Sequence, residues 1–312
     1  MNDLDPIELL VPPTQAGERL DRFVAATVAE LSRSHVQHLL ETGQILVNGQ
    51  KARASLNLRG GEQILVTVPP PQLTTLVPEA LPLDILYEDE AVVVVNKAAG
   101  MVVHPAPGHS SGTLANALLA RYPTMEVNGD LRPGIVHRLD QATSGLLVVA
   151  RHDQAMQALT DQQRARTMLK VYLAVVEGQF KEPAGVIDAP VGRHPTDRLR
   201  MSVVVGGREA RTHYQVQEEL GAYTLLEVRL ETGRTHQIRV HLLHRNHPVL
   251  GDPLYGGRRQ RATFGLTRQF LHAYRLGFQH PTDGTWREFT APLPDDLTVV
   301  LAKLRAAVKR GA

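Results

Sequence analysis

The sequence predicts an α+β protein that is divided into two domains. A chain of 312 residues exceeds one typical domain, so two are expected, the larger with a sizeable core. Strand-like segments outnumber helical ones, and several follow one another through the short turns that join hairpins. This order favours α+β over a doubly wound fold, in which strands and helices alternate.

Residues 17–68 are predicted to form a small domain of two helices and a sheet. The apolar positions of the first helix recur at helical spacing: Leu20, Phe23, Val24 and Val28. Ser32 or Ser34 can cap a second helix, which Gly43 ends. An Asn-Gly turn at 48–49 follows a strand, and a strand at 64–68 closes the unit. A core from so few residues is marginal, which suits a binding module better than a catalytic one.

The rest of the chain divides into three segments. We assign residues 1–16 to an N-terminal extension and residues 69–80 to a linker, which begins with three prolines and is therefore semi-rigid. Residues 81–312 form the larger domain. Its predicted strands include 85–87, 92–97, 146–150, 170–177 and 223–230. Its predicted helices begin after Thr113 and at 154, 237 and 298.

The composition excludes several classes of protein. With 43% hydrophobic and 21% charged residues the sequence is that of an ordinary globular protein, and no apolar run approaches the roughly 18 residues of a membrane span. The acidic start lacks the basic and apolar regions of a signal peptide, so we expect a cytoplasmic protein. The absence of cysteine excludes disulfides and thiolate metal sites.

The distribution of arginine indicates more about partners than the net charge of +2 does. Between Arg229 and Arg275, nine arginines stand against two acidic residues, Glu231 and Asp252. Because the planar guanidinium suits phosphate and stacks on bases, this segment is a candidate RNA-facing surface. The alternative is an arginine preference imposed by a GC-rich genome, with the side chains on solvated faces.

Residues 134–149 are the most informative stretch of the chain. Asp140 stands two residues after Arg138, in a Thr-Ser-Gly turn directly before an apolar strand. Generic packing would place apolar side chains there, so a carboxylate beside a cation indicates a functional site. Two further segments could converge on the same place: Lys170-Val171-Tyr172-Leu173-Ala174 and Thr232-Gly233-Arg234-Thr235-His236-Gln237-Ile238-Arg239-Val240-His241.

These three segments resemble the core motifs of the RluA-type pseudouridine synthases. The layout, with Gly-Asp-Pro-Leu-Tyr-Gly at 251–256, is similar to the RluD-like subgroup, which acts on large-subunit ribosomal RNA. The resemblance spans residues 17 to 280 or so, nearly the whole chain. It implies a mixed, largely antiparallel sheet with a central cleft, and neither a metal nor an organic cofactor.

The small domain resembles the S4 RNA-binding domain, through Arg-Leu-Asp-Arg-Phe at 19–23 and the later Val-Asn-Gly turn. This resemblance implies that five residues face the RNA backbone: Arg33, His35, His38, Lys51 and Arg53. The implied partner is large-subunit ribosomal RNA, naked or in an assembling particle, and nothing suggests more than a monomer. The alternative is a small domain with an ordinary polar helix face.

The resemblance also implies roles for the residues of the three motifs. Pseudouridine forms when uracil is cut from C1′ of its ribose, turned and rejoined through C5, which needs a carboxylate as nucleophile or base. The family's carboxylate matches Asp140, its basic partner Arg239, and the aromatic that stacks on the base Tyr172.

Further residues of these motifs are expected to contact RNA. Arg138 would fill the gap left by an extruded uridine or hold a flanking phosphate, and Arg234 and His236 are further contacts. The family usually has a charged pair directly after the aspartate, where this chain has Gln141 and Ala142. That departure puts a peripheral contact near the cleft mouth in doubt, but not the reacting groups.

Other interpretations of these motifs remain open. The histidines at 236, 241, 244 and 247 invite a metal site, but their spacing does not bring all four to one face of a helix. A non-catalytic RNA-binding assembly factor would have no physical reason to retain Asp140, Tyr172 and Arg239 together. A nucleosidase would need a second carboxylate to activate water, and these motifs offer no obvious one.

Overall fold

The protein has the predicted α+β architecture. The computed structural model describes residues 6–28, 31–69, 76–105, 109–127, 130–131, 133–197, 199–256 and 263–311. The N-terminal unit contains β1 Ile7–Leu10, a 3-10 turn at Pro13–Gln15, α1 Leu20–Thr27, α2 Arg33–Thr42, β2 Ile45–Val47, β3 Gln50–Lys51 and β4 Gln63–Val66. Its four strands form one antiparallel sheet in the order β1-β4-β2-β3.

The local signals of the N-terminal unit produce the expected structures. The side chain of Ser32 caps α2 by accepting a hydrogen bond from the backbone N–H of His35, and Gly43 ends the helix in the left-handed conformation. Asn48 and Gly49 both have positive φ, as a tight hairpin turn between β2 and β3 requires. The predicted helix-and-hairpin order of this unit is therefore confirmed.

The N-terminal unit begins earlier than the sequence indicated. β1 lies within the segment assigned to an extension at 1–16, yet it pairs with β4, Ile7 opposite Val66. Val11 is buried in the same core. No local signal reveals this four-residue edge strand, because its partner lies more than 50 residues further along the chain.

The second half of the predicted linker packs on the larger domain. The side-chain amide of Asn116 donates to the carbonyl of Val77 at 2.7 Å, and the Glu79 carboxylate accepts from the backbone N–H of Gly112. Residues 70–75, the first half of that linker, lie outside the described residues.

The larger domain is built on a ten-stranded sheet. Its elements are β5 Asp84–Glu88, β6 Val92–Lys97, α3 Leu114–Arg121, β7 Glu126–Val127, β8 Asp130–Leu131, β9 Gly134–Ile135, β10 Ser144–Ala150, α4 Asp153–Ala165, β11 Leu169–Glu177, β12 Ala184–Asp188, β13 Val191–Arg193, β14 Met201–Val203, β15 Arg211–Leu220, β16 Tyr223–Leu230, α5 Gln237–His244, β17 Leu271–Gln279, β18 Trp286–Thr290 and α6 Asp295–Gly311.

The sheet is mixed and largely antiparallel, as predicted. Its main path runs β12-β15-β16-β11-β17-β10-β6-β5, with β18 on β17 and β9 on β10. The one parallel pairing among these strands joins β10 to β17, where Gly145 lies opposite Ala273. Gly145 has a φ of +115°, and a Cβ there would come within 2.3 Å of the Ala273 carbonyl oxygen. The glycine therefore allows the two central strands to approach each other.

Both faces of the central strands are buried. Alternate residues of β10 enter two different cores: Leu147 and Val149 on one side, Leu146 and Val148 on the other. Helix α3 covers the first face and α4 the second. A strand covered on both sides appears as a continuous apolar run, which is why β10 was recognisable from sequence. None of the helices in the described part of the chain is long and apolar enough to cross a membrane.

Candidate active site

The three motif segments meet in one cleft of about 320 Å³ on the larger domain. Asp140 comes from the turn before β10, Tyr172 from β11 and Arg239 from the first turn of α5, and all three line the cleft. Their positions lie up to 99 residues apart in sequence. The folded chain thus brings together the three residues predicted to be catalytic.

Asp140 is held by an arginine that is itself held by a second carboxylate. Nη1 of Arg239 lies 3.0 Å from Oδ2 of Asp140, while its Nε and Nη2 donate to Asp252 at 2.6 and 2.8 Å. Asp252 is 1% exposed and Arg239 5%. Burial alone would lower the pKa of the Arg239 guanidinium, but the hydrogen bonds and charges of Asp252 and Asp140 raise it. Arg239 is therefore permanently charged. Asp252 fixes its orientation in the bidentate geometry that suits arginine.

Tyr255 and His236 complete the surroundings of this ion pair. The Arg239 guanidinium lies 4.8 Å from the centre of the Tyr255 ring. The Tyr255 hydroxyl accepts from the backbone N–H of Met201 at 2.7 Å and lies 2.8 Å from Nδ1 of His236. Which group donates in this bond depends on the tautomer of the imidazole, whose second ring nitrogen is Nε2. That nitrogen lies 4.0 Å from Oδ1 of Asp140.

His236 remains neutral and takes an unusual backbone conformation. Burial lowers the pKa of its imidazole. With a φ of 57° it precedes α5 in the left-handed region, which few residues other than glycine adopt. A strained residue of this kind is tolerated where the surroundings over-determine it, here through the bond to Tyr255.

The turn that follows Asp140 is fixed through its backbone. The Lys97 ammonium donates to the carbonyl of Gln141 at 3.1 Å, and Arg268 donates to the carbonyl of Ala142 at 3.1 Å. The Thr143 hydroxyl accepts from Gln269 at 3.1 Å. These contacts use main-chain carbonyls at 141 and 142, so the departure from the family's charged pair leaves the support of the Asp140 turn intact.

Tyr172 and its neighbour on β11 form part of the cleft surface. Tyr172 is 7% exposed, and burial together with the charge of Asp140 raises the pKa of its hydroxyl, which is therefore protonated at neutral pH. Lys170, two residues earlier, also lines the cleft, and burial together with the nearby Arg234 lowers its pKa to about 8. His137 accepts a hydrogen bond from the backbone N–H of Val148, and burial lowers its pKa to about 3.

The predicted RNA contacts around the cleft are placed at or near its mouth. Arg138 is exposed and lines the cleft, with no hydrogen bond or ion pair to any of the described residues. Arg234 is half-buried, and its Nε donates to the carbonyl of Glu209 at 3.0 Å. The arginine-rich segment is not one surface, since Arg239 and Arg268 are buried in ion pairs. Arg258, Arg259 and Arg261 lie outside the described residues.

The N-terminal unit presents three of its five predicted RNA contacts freely. His38, Lys51 and Arg53 are exposed. Arg33 keeps 42% of its side chain exposed, but it donates to Asp21 at 2.8 Å. Although burial alone would raise it, hydrogen bonds from Arg19, Gln37 and Arg33 hold the pKa of Asp21 well below its usual value.

The prediction that His35 faces RNA is wrong for this structure. The ring is 4% exposed, and its Nδ1 lies 3.2 Å from Oδ2 of Asp153 at the start of α4. His35 therefore contacts the larger domain rather than solvent. The sequence could not reveal this, because it places a histidine on a helix face without saying what that face packs against.

Three of the four histidines that invited a metal interpretation have other partners, His236 among them through its bond to Tyr255. His241 bonds to Thr212 and to the carbonyl of Ala189, both at 2.9 Å, and His247 bonds to the carbonyl of Glu177. Across the residues that the structure describes, no group of three or more histidine, aspartate or glutamate side chains could hold a metal ion.

Comparison with known proteins agrees with this geometry. Residues 91–244 match the family model described as RNA pseudouridylate synthase, and residues 18–64 match the S4 domain. An uncharacterized RNA pseudouridine synthase of Chloroflexus aurantiacus is 60% identical over 95% of this chain and 93% of that protein. The ribosomal large subunit pseudouridine synthase D of Xanthomonas campestris pv. campestris is 45% identical over 98% of this chain and 94% of its own.

Solved structures lead to the same family. The human RNA pseudouridylate synthase domain containing 1 superposes with a TM-score of 0.56 at 28% identity, covering 73% of this chain and 96% of that one. The protein therefore belongs to the RNA pseudouridine synthases, a class of isomerases. Within that family its S4 domain and its similarity to the D-type large-subunit synthases confirm the predicted RluD-like subgroup.

Sequence reasoning missed three supporting residues of the site. Asp252 and Tyr255 belong to the Gly-Asp-Pro-Leu-Tyr-Gly motif, which served only as a marker of the subgroup. Lys97 ends an apolar strand and gave no local signal of its bond to the Asp140 turn. Asp252 is the one charged residue of this six-residue motif, which could have indicated its role.

Proposed function

We propose that this enzyme isomerises specific uridines of large-subunit ribosomal RNA to pseudouridine, with Asp140 as the essential carboxylate. We further propose that it acts in the cytoplasm, where ribosomal RNA would be available, and that it acts as a monomer. The observation that carries the proposal is the state of Asp140, whose Oδ2 is held by Arg239. Asp140 lines the cleft, and its Oδ1 has no hydrogen bond with any of the described residues; Nε2 of His236 lies 4.0 Å from it. One oxygen is thus oriented and the other is available.

The reaction needs no atom beyond those of the substrate. The C1′–N1 bond breaks and its electron pair stays on the uracil ring. A new bond then forms between C1′ and C5, the C5 proton leaves, and N1 takes up a proton. Asp140 serves either as the nucleophile at C1′ or as a base towards the ribose, with Arg239 fixing the position of its carboxylate through their ion pair.

The burial of Tyr172 supports the proposal that the target base is flipped out of its helix. Tyr172 is buried in the cleft and cannot reach a base that remains stacked in a helix. The proposed substrate uridine is therefore extruded into the cleft and stacks on the Tyr172 ring. Arg138 is exposed at the mouth with no partner among the described residues, so it can occupy the vacated position or bind a flanking phosphate.

The substrate is tested by nucleoside analysis of modified RNA. Unmodified transcripts of large-subunit and small-subunit ribosomal RNA are incubated with the enzyme, digested to nucleosides and separated by chromatography. We expect pseudouridine in the large-subunit RNA alone, at a small and fixed number per molecule. Pseudouridine in both RNAs would contradict the proposed substrate while leaving the activity in place.

The competing function is a ribosome-assembly factor that binds RNA without reacting. It predicts no pseudouridine in any transcript or in subunits assembled from unmodified RNA. The variant Asp140→Asn keeps the size of the side chain but removes its charge. Asp161→Asn, an exposed position on α4 of the same domain, is the matched control. We expect product from the control and none from Asp140→Asn.

A further inference from the structure

Lys170 is a deeply buried cation on the surface of the cleft. It lies on β11 with its side chain lining the cleft, and it is 6% exposed. Residues two apart on a strand point to the same face, with a separation of about 6.6 Å, so Lys170 and Tyr172 form neighbouring parts of one surface. The chemistry proposed above assigns no role to this lysine.

The Lys170 ammonium has no partner within the described chain. None of the described residues forms a hydrogen bond or an ion pair with it, and the charged group that acts on it most is another cation, Arg234. Lys97 shows what a structural buried lysine looks like in this protein. It is 1% exposed and donates to the carbonyls of Ala98, Met101 and Gln141 at 2.7 to 3.1 Å.

An unpaired buried ammonium weakens a fold. Removing such a group from water is unfavourable unless hydrogen bonds compensate it, and an apolar side chain would fill the same position at no such cost. The three donors of Lys170 therefore point to an acceptor that is supplied by the ligand. Because the side chain lines the cleft, that acceptor belongs to whatever the cleft holds.

The depth of Lys170 distinguishes between a phosphate and the base as its acceptor. A phosphate stays on the backbone outside the cleft, where the more exposed Arg138 and the half-buried Arg234 can meet it. Lys170 is far less exposed than either and shares its surface with the ring on which the base is proposed to stack. The acceptor at this depth is an oxygen of the base.

Building on the proposed function, we propose that Lys170 donates a hydrogen bond to a carbonyl oxygen of the target uracil and stabilises the detached ring. When the C1′–N1 bond breaks, the electron pair passes to N1 and is delocalised onto O2 and O4. The ammonium then faces a growing negative charge, so its bond is stronger in the transition state than in the bound substrate. The charge disappears when C5 bonds to C1′ and N1 is protonated.

The first test separates rate from affinity in Lys170→Met, with the exposed Lys181→Met as the matched change of charge. We expect the single-turnover rate of Lys170→Met to fall roughly 10²- to 10³-fold, the usual effect of losing one such donor. Its affinity for large-subunit RNA should stay within about threefold of wild type, and Lys181→Met should match wild type in both. If Lys170 contacts a phosphate, Lys170→Met should instead bind the RNA more weakly, with a salt dependence smaller by about one ion and an unchanged rate. That result would overturn the proposal.

The second test identifies the contact itself by changing the base. RNA with 2-thiouridine or 4-thiouridine at the target replaces one carbonyl oxygen by sulphur, a weaker acceptor. Each analogue is compared with uridine in wild type, Lys170→Met and Lys170→Arg, by chromatography of the product nucleoside. For one analogue, we expect product to form more slowly than from uridine in wild type but not in Lys170→Met, because that variant has already lost the contact. If each analogue slows wild type and Lys170→Met by the same factor, Lys170 contacts neither carbonyl oxygen.

These outcomes remain separate from those of the proposed function. If wild type forms no pseudouridine from uridine, the proposed function fails before Lys170 is tested. If wild type is active and Lys170→Met is equally fast, only the role of Lys170 fails. Should Lys170→Met not fold, the analogue comparison between wild type and Lys170→Arg still decides, since a longer, planar donor in a displaced position must change the response to one thio-substitution.

Discussion

The clearest consequence of an unpaired Lys170 is that its removal should stabilise the protein. Burial and Arg234 lower the pKa of this lysine from 10.5 to about 8. At about 1.36 kcal/mol per pKa unit, holding the charge in the fold at neutral pH costs on the order of 3 kcal/mol. Methionine keeps the length of the stem without the charge. We therefore expect Lys170→Met to raise the free energy of unfolding by about 1–3 kcal/mol at pH 7, the upper value applying when the site does not relax.

The sign of the pH dependence follows from the same pKa values. Between pH 8 and 10.5 the unfolded chain retains a proton on this lysine that the folded chain has lost, so the stability of wild type rises with pH in that window. Lys170→Met lacks this contribution. The difference between the two proteins should therefore shrink from its value at pH 7 and vanish above about pH 10.5.

The assay is urea unfolding followed by the fluorescence of Trp286, the single tryptophan of the chain. Trp286 lies on β18 in the large sheet and therefore reports on the domain that contains the lysine. Lys181→Met, an exposed position, should change the stability by less than about 0.5 kcal/mol. A loss of more than 1 kcal/mol in Lys170→Met, or a difference that does not change with pH, would refute the reasoning and make Lys170 a structural residue.

Three further predictions concern the support of the site. Asp252→Asn should cost about 3–5 kcal/mol and abolish turnover, because it leaves a buried guanidinium half-paired; wild-type stability in urea unfolding would contradict this. Gly145→Ala should destabilise the sheet by about 3 kcal/mol or more, since its Cβ would meet the backbone of β17, whereas Gly233→Ala, with open space around it, should be neutral in the same assay. Deleting residues 1–69 should weaken RNA binding and flatten its dependence on salt in titrations at several ionic strengths, because phosphate contacts are lost; an unchanged slope would remove the S4 domain from binding.

Most of the fold could be predicted from hydrophobic periodicity, and the centre of the site could be predicted from its motif residues. The continuous apolar run of β10 and the capping serine of α2 are local signals, and the structure contains both elements where the sequence placed them. Asp140 was recognisable because a carboxylate at the edge of a buried strand serves no packing purpose. Tyr172 and Arg239 were predicted through the resemblance of their segments to the pseudouridine synthase motifs. Their roles in the reaction stay predictions until turnover is measured.

The features that sequence could not supply are pairings between distant segments. The bond of His35 to Asp153 joins residues 118 apart, and β1 pairs with a strand more than 50 residues away. The support of Arg239 by Asp252 likewise depends on a loop that folds back beneath α5. Lys170 stood in a motif already but looked like any strand lysine, and only its burial without a partner marks it.

The central claim is that Asp140 makes this cleft an isomerase, and release of tritium from C5 of uridine tests it most directly. Forming the C1′–C5 bond expels that hydrogen, whereas binding or simple hydrolysis of the glycosidic bond does not. Large-subunit RNA labelled at C5 is incubated with wild type, Asp140→Asn and Asp161→Asn, and affinity for the RNA is measured in parallel. We predict release by wild type and Asp161→Asn alone, with all three binding equally within about 1 kcal/mol, because one side chain among many backbone contacts is changed. Release by Asp140→Asn at the wild-type rate, or none by wild type on naked RNA and on assembling subunits alike, would contradict the claim.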